Sequence, residues 1–335
     1  MRLPLLPLLA LLLIGAMLLS LTLGRYPLPM GEVVDFLFAQ FGFFDLAPER
    51  QAFLHNLIVD IRLPRVLTAV LVGASLSISG AAYQAVFRNP LVSPGLLGVL
   101  AGAASGAALG LVFSGNWWVM QLAAFTMGVL AVVVCVGIAA MFGGSVVMLV
   151  LGGIISGALF TAVLSLVKYV ADPYNQLPAI VYWLMGSLAS ADLKDLGRIA
   201  LPMLSGVLLL SCLGRALDAL SMGDDEARTL GVPVTAVRYG VIGAATLVSA
   251  LTVSLAGMIG WIGLLVPHVA RLLVGPGNAR LLPASACLGA VFLLLADGIA
   301  RNVGTTEIPI GIVTELLGIP AFLLVLHRAR RGWVA

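Results

Sequence analysis

The chain has 335 residues, of which 61% are hydrophobic and only 10% charged, with a net charge of +3 and a mean hydropathy of +1.12. A soluble domain carries roughly 25% charged residues, so the composition excludes a soluble enzyme and implies a polytopic membrane protein; the charge is also too small for a nucleic-acid partner. At about 20 residues per crossing the apolar runs account for about ten helices, which leaves almost nothing for a soluble domain, and any nucleotide chemistry has to come from another chain.

In chain order the spans read as 3–23, 66–86, 96–113, 118–140, 146–167, 196–213, 239–257, 259–273, 281–300 and 310–327. The first run is long for a signal peptide and no small-x-small cleavage site follows it before Arg25, so it is expected to stay as a helix. An even number of spans puts both termini on one side, and the basic tail His327-Arg328-Ala329-Arg330-Arg331 assigns that side to the cytoplasm. Arg2, Arg88, Arg215, Arg228, Arg238, Arg271 and Arg280 then fall inside as well. The longer segments 24–65 and 168–195 fall outside. The fold class is therefore all-α, a single transmembrane domain over 1–335.

Gly102, Gly106 and Gly110 recur every four residues, and Gly153 and Gly157 repeat the spacing. Between helices in lipid, close backbone approach supplies the contact energy, so these glycines read as packing positions. Cys135, Cys212 and Cys287 all lie in apolar runs, and an odd number there reads as packing. Three stretches are too interrupted for plain spans: Asn89-Pro90-Leu91-Val92-Ser93-Pro94-Gly95, Gly257 to Pro267, and Ile308-Pro309-Ile310-Gly311. Broken backbone at membrane depth is tolerated only inside protein or along a water-filled cavity. Its occurrence in both halves points to a path between inverted repeats, although the letters alone do not align one half on the other.

Several charges need an explanation. Arg62 and Arg65 stand where the second span enters and Arg301 where the ninth ends; each reads either as an interfacial anchor or as a cationic post for acidic groups on an external partner. Asp297 lies one turn before Arg301, at pairing distance, and reads as structural. Glu315 lies within a span, where an acid is expensive and usually faces a cavity; it lines a path or caps a bend near Gly318 and Pro320. His268 follows Pro267, but His55 and His327 fall on opposite sides of the membrane, so no metal site is expected. The chain has no Ser-His-Asp arrangement, no HExxH and no Walker A loop, hence no enzymatic apparatus.

The stretch Leu217 to Arg238 is the one compact charged unit between apolar runs. Asp224, Asp225 and Glu226 suit the positive end of a helix dipole, with an Asp as N-cap, while Gly231 and Pro233 close the unit. It predicts a stiff helix of about 10 Å, too short to cross a membrane and placed to meet a partner.

Four motifs converge on one family: Arg62-Leu63-Pro64-Arg65 with Arg88 through Gly98; Gly223 through Gly231; Gly260 through Arg271; and Leu294 through Asp297 with Glu307 through Gly311. Together they resemble the FecCD-type permeases, membrane subunits of type II ABC importers for iron–siderophore, haem and cobalamin, over about 62–326. The resemblance implies ten helices per subunit, a homodimer in a bacterial or archaeal cytoplasmic membrane, two ATP-binding subunits inside that hold ATP and Mg, and a periplasmic or lipid-anchored substrate-binding protein outside. No cofactor is implied for this chain itself. By the same resemblance 217–232 matches cytoplasmic coupling helices, with Leu220, Gly223, Asp224, Asp225, Glu226, Arg228, Leu230 and Gly231 as contact residues. Arg62, Arg65 and Arg301 match arginines that pair with the binding protein. Asn89, Pro90 and Leu91 match an inner gate, Ser145 falls near a second gate, and Glu315 departs from the small or apolar residue expected along the path. Iron–siderophore is the default cargo; haem, cobalamin and molybdate share the motifs. The rival reading is a stand-alone secondary transporter with Asp297 or Glu315 as its coupling carboxylate, and a membrane-embedded enzyme stands behind that.

Overall fold

The computed structural model describes residues 5–40, 42–43 and 45–333, with side chains through Leu324. Arg2 lies outside the described residues, as do the side chains of His327, Arg328, Arg330 and Arg331. Among the described residues there is no strand. The helices are α1 (Leu5–Thr22), α2 (Met30–Gln40), α3 (Pro48–His55), α4 (Leu63–Phe87), α5 (Val99–Phe113), α6 (Trp117–Met141), α7 (Val146–Val170) and α8 (Gln176–Leu184). They continue with α9 (Leu193–Cys212), α10 (Gly214–Met222), α11 (Asp224–Thr229), α12 (Val234–Ala256), α13 (Ile262–Val274), α14 (Asn278–Asn302) and α15 (Ile310–Trp333). Seven stretches are long and apolar enough to cross a membrane, and α5, α13 and the Ile310–Leu324 part of α15 are shorter apolar helices. Together they match the ten predicted spans.

The segment before the second span differs from expectation. Residues 24–65 read as an outer connection, but they contain α2 and α3, and a π-helical turn at Asn56–Arg62 joins α3 to α4 without a break. The result is one helical rod over Pro48–Phe87. Pro64 does not end it: it stands directly after the π-helical turn, where the hydrogen-bond register changes from π to α. The apolar alternation of 48–62 is weak, which hid these helices from the sequence.

α4 is the axis of the bundle, packed by α14, α12, α13 and α9. Its backbone meets theirs directly. A side chain on Gly73 would collide with the Gly289 carbonyl of α14, and one on Gly80 with the backbone of Gly263 on α13. α5 meets α6 in the same way: Gly102 faces the Met127 carbonyl, Gly106 that of Ala123, and Gly110 the Cα of Met120. Gly153 presses on the Leu96 carbonyl, while Gly157 has only ordinary contact with Gly98 at 3.9 Å. Cys135 is buried and donates its thiol to the Leu149 carbonyl at 3.3 Å. By contrast α6, α7 and α9 leave broad apolar faces uncovered, among them Val133, Ile155 and Leu201, as expected for surfaces that meet lipid.

Replacing Gly80 by Leu forces backbones apart and should destabilise the fold by about 1–3 kcal/mol or more, while Gly137→Ala, with open space around its Cα, should be neutral. Thermal unfolding in detergent by size-exclusion fluorescence reads both.

Candidate functional site

One end of the bundle carries the charged unit. α10 and α11 form a helical pair joined at Gly223, whose φ of 146° and ψ of 159° suit glycine. Glu226 folds its carboxylate back over Gly223, and a Cβ there would displace it. The expected Asp N-cap is therefore corrected: Gly223 holds the N-cap position with no side-chain cap, and Asp224 is the first helical residue. Its carboxylate turns to arginines instead. Arg238, at the start of α12, donates to both Asp224 oxygens at 2.7 and 2.8 Å, and Arg88, just past α4, pairs with the same group. The hydrogen bond from Arg238 is the main cause that holds the Asp224 carboxyl below its ordinary 3.8, against the opposing effect of partial burial. A depressed carboxyl contributes its stabilisation above the ordinary value and loses it only as pH falls through the lower one, so this clamp stays charged throughout the neutral range.

The closing end of α11 follows expectation. Val232 N–H donates to the Ala227 carbonyl and Gly231 N–H to that of Arg228, with Gly231 at φ 79°. Asp225 and Arg228 pair at 2.7 Å on the surface, and Glu226, Leu230 and Met222 are exposed beside them. Leu220 departs from the prediction: it is 1% exposed and packs with Leu217 and Ala227 into the core beneath the pair. It anchors the unit rather than presenting to a partner, and Met222 takes the outward apolar position.

Asn89, Pro90 and Leu91 follow α4 at this same end. Arg88 adopts the left-handed conformation (φ 49°), so Asn89 N–H can close α4 onto the Gln84 carbonyl at 3.1 Å. Asn89 Oδ1 then accepts from Leu91 N–H at 2.9 Å, which fixes the turn. Asn89 and Pro90 line a cavity of about 280 Å³ with Arg88, Ser221 of α10 and Arg271 of α13. Arg271 in turn donates to Gln84 Oε1 at 3.1 Å. Ser145 is exposed and caps α7 by accepting from Met148 N–H at 3.3 Å; it is not among the residues of the Arg88 cavity.

The opposite end gathers the three predicted arginines, and here the expectation of free, outward cationic posts is corrected. Arg62 is 4% exposed and donates to the carbonyls of Leu21 and Tyr26. Arg301 is 6% exposed; it donates to Ser20 Oγ at 2.9 Å and to the Leu23 carbonyl at 3.1 Å, and its Nε lies 2.9 Å from Asp297 Oδ2 at an angle that makes an ion pair without a hydrogen bond. Arg65 bridges fully buried Asp297 (2.8 Å) and Glu307 (2.9 Å). A buried guanidinium has to find acceptors, and these three find them in the end of α1, in α14 and before α15. Asp297 has the structural role expected of it. Glu307 was visible in a motif without a role, and it is the partner of Arg65.

Glu315 lies on the exposed side of α15, and its Oε1 approaches Gly260, where the backbone between α12 and α13 is non-helical. A charged side chain facing the centre of a bilayer costs about 3 kcal/mol. No ion-pair partner for it lies among the described residues.

The FecCD transport family matches residues 11–328. The chain belongs to the FecCD transport family. It is 38% identical to the molybdate import system permease protein MolB of Haemophilus influenzae, over 97% of this chain and 95% of that relative. It is 40% identical to an iron chelatin transport system permease protein of Helicobacter pylori (83% and 87% covered) and 40% identical to the cobalamin import system permease protein BtuC of Halobacterium salinarum (80% and 72%). A solved inward-facing conformation of a metal-chelate type ABC transporter superposes with a TM-score of 0.85 at 36% identity, over 97% of this chain and 99% of that one. The chain is thus an ABC transporter permease, which removes the stand-alone secondary transporter and the membrane enzyme as readings. In this FecCD permease one candidate coupling carboxylate of the rival reading, Asp297, is in any case held between two arginines.

Asp297→Ala takes a carboxylate from buried Arg301 and from half-buried Arg65 and should cost about 3–5 kcal/mol, seen as a lower midpoint of denaturant unfolding. Asp225→Ala, at a side chain 91% exposed, should leave that midpoint unchanged.

Proposed function

We propose that two copies of this permease pair around a central path and move a metal chelate across the cytoplasmic membrane, iron–siderophore first and haem or cobalamin next. Two ATP-binding chains, which hold ATP and Mg, engage the α10–α11 unit on the cytoplasmic side, where both termini also lie. A periplasmic or lipid-anchored binding protein docks at the opposite end. Support for a metal chelate comes from the metal-chelate type neighbour and the iron chelatin relative, although the MolB relative is named for molybdate.

The observation that carries the mechanism is the Asp224 clamp. Through one carboxylate, the surface offered to the ATPase is tied to Arg88, at the head of the Asn89–Leu91 turn, and to Arg238, at the foot of α12. In this reading Asp225, Glu226, Arg228 and Leu230 touch the ATPase, Gly223 and Gly231 set the unit's shape, and Leu220 seats it. A displacement of α11 then reaches the Asn89–Leu91 gate through the Arg88 ion pair and α12 through the Arg238 ion pair, with no flexible linker. Ser145 belongs to a second gate at the same end. At the outer end Arg65, the one of the three arginines next to a partly exposed carboxylate, meets the binding protein, with Arg62 and Arg301 holding the surface beneath it.

Charge reversal at Asp225 and Glu226 together should lower ATP-driven uptake of a ⁵⁵Fe–siderophore tenfold or more in proteoliposomes holding the full importer, while copurification of the two permease copies persists. Wild-type uptake in that variant would overturn the coupling role. Asp224→Asn should leave ATPase binding in place yet reduce uptake per ATP hydrolysed, because the contact surface survives and the link to the gate does not.

A further inference from the structure

The exposed side of α15 carries Ile312, Leu316, Ile319 and Leu323, with Glu315 among them. The helix is held in place from its other side: a side chain on Gly311 would strike the carbonyls of Met185, after α8, and Met258, and one on Gly318 would strike the Trp261 side chain, so α15 packs closely on the break between α12 and α13. That break is Gly257–Gly260 followed by Trp261 at φ 68°, a conformation uncommon for a bulky residue. Glu315 Oε1 lies within 3.9 Å of where a Cβ on Gly260 would stand. It is about 8 Å along the helix from Ile310, in the second turn of α15.

The charged groups of the neighbouring elements are engaged elsewhere. Arg271 on α13 donates to Gln84, His268 packs its ring edge-on against Phe322 with Nδ1 at the Leu264 carbonyl, and Arg65 and Arg301 are held by Asp297 and Glu307. The acid thus stands without an ion-pair partner among the described residues, next to an unwound stretch of backbone. Lipid disfavours both features, and both suit a water-filled passage.

We propose that the Glu315 face of α15 lines the aqueous path and acts as an anion-excluding filter. Two copies would set two carboxylates along one path. Such a pair repels oxyanions such as molybdate and admits cationic or neutral metal chelates, so the residue narrows the substrate class within a family whose named relatives span both. This inference rests on the permease reading above.

The test uses the assembled importer in membrane vesicles, with Cys212→Ser and Cys287→Ser in place and Cys135 left buried. Ile319→Cys, one turn from Glu315 on the same face, serves as the reporter. It is labelled with a cationic (trimethylammonium-ethyl) and an anionic (sulfonato-ethyl) methanethiosulfonate, each normalised to its rate with a free thiol. Both reagents should react, the cation about five- to tenfold faster, and adding Glu315→Gln should bring the ratio close to one. A Leu201→Cys control on the apolar face of α9 should react with neither. No labelling at 319 would show a dry face and overturn the path assignment; a ratio unmoved by Glu315→Gln would overturn the filter. ATP-driven uptake measured on the same vesicles separates either failure from failure of the permease reading itself.

Discussion

In lipid, helices gain nothing from hiding apolar side chains from one another, so this bundle depends on bringing backbones together along α4. Gly73 against Gly289 and Gly80 against Gly263 remove side chains where α4 crosses α14 and α13. With those crossings fixed, the buried hydroxyls and apolar residues of α4 pack on four neighbours. The second close pair, α5 on α6, uses the same device through Gly102, Gly106 and Gly110. The two main ion-pair clusters then lie at the two ends of α4, around Arg65 and Arg88.

The two ends are built differently. At one, a single carboxylate, Asp224, collects buried Arg238 and exposed Arg88, and water keeps the Arg88 pairing modest in strength and able to open. At the other, Asp297 is fully buried between Arg65 and Arg301, and breaking such a pair strands uncompensated charge. The first is suited to transmission and the second to holding α1, α4 and α14 in one body. Arg62 and Arg301 look like free posts in the sequence because the acceptors of the first, and some of those of the second, are main-chain carbonyls of Ser20, Leu21, Leu23 and Tyr26, which no sequence pattern advertises; the carboxylates that hold Arg65 lie 232 and 242 residues away in the chain.

Much of the architecture was legible because hydropathy and small-residue spacing report directly on a membrane bundle; the ten spans and the Gly102–Gly110 row needed nothing else. The α10–α11 unit was legible as a position and partly as chemistry. Gly231 closes it as expected, but the capping role read into Asp224 failed, since the carboxylate is taken by arginines 14 residues ahead and 136 residues behind in the chain. Leu220 was misassigned because a short amphipathic helix does not declare which apolar residue faces inward. A charge at the foot of a span was the signal available for Arg238, as an arginine there needs a partner. The helices within 24–65 were missed because polar residues and a π-helical turn blur their periodicity.

The stretch of α4 between Arg65 and Arg88 is uninterrupted α-helix, about 35 Å long, with one ion-pair cluster at each end. It is stiff, so it acts as a lever. A tilt of about 5° pivoting on Arg88 carries Arg65 by about 3 Å over that length, comparable to the 2.8–2.9 Å separations that hold Arg65 to Asp297 and Glu307. The same tilt shifts Gly80 by about 1 Å and Gly73 by about 2 Å, so exchanging the carboxylate partners of Arg65 requires the glycine crossings to slide in step with it.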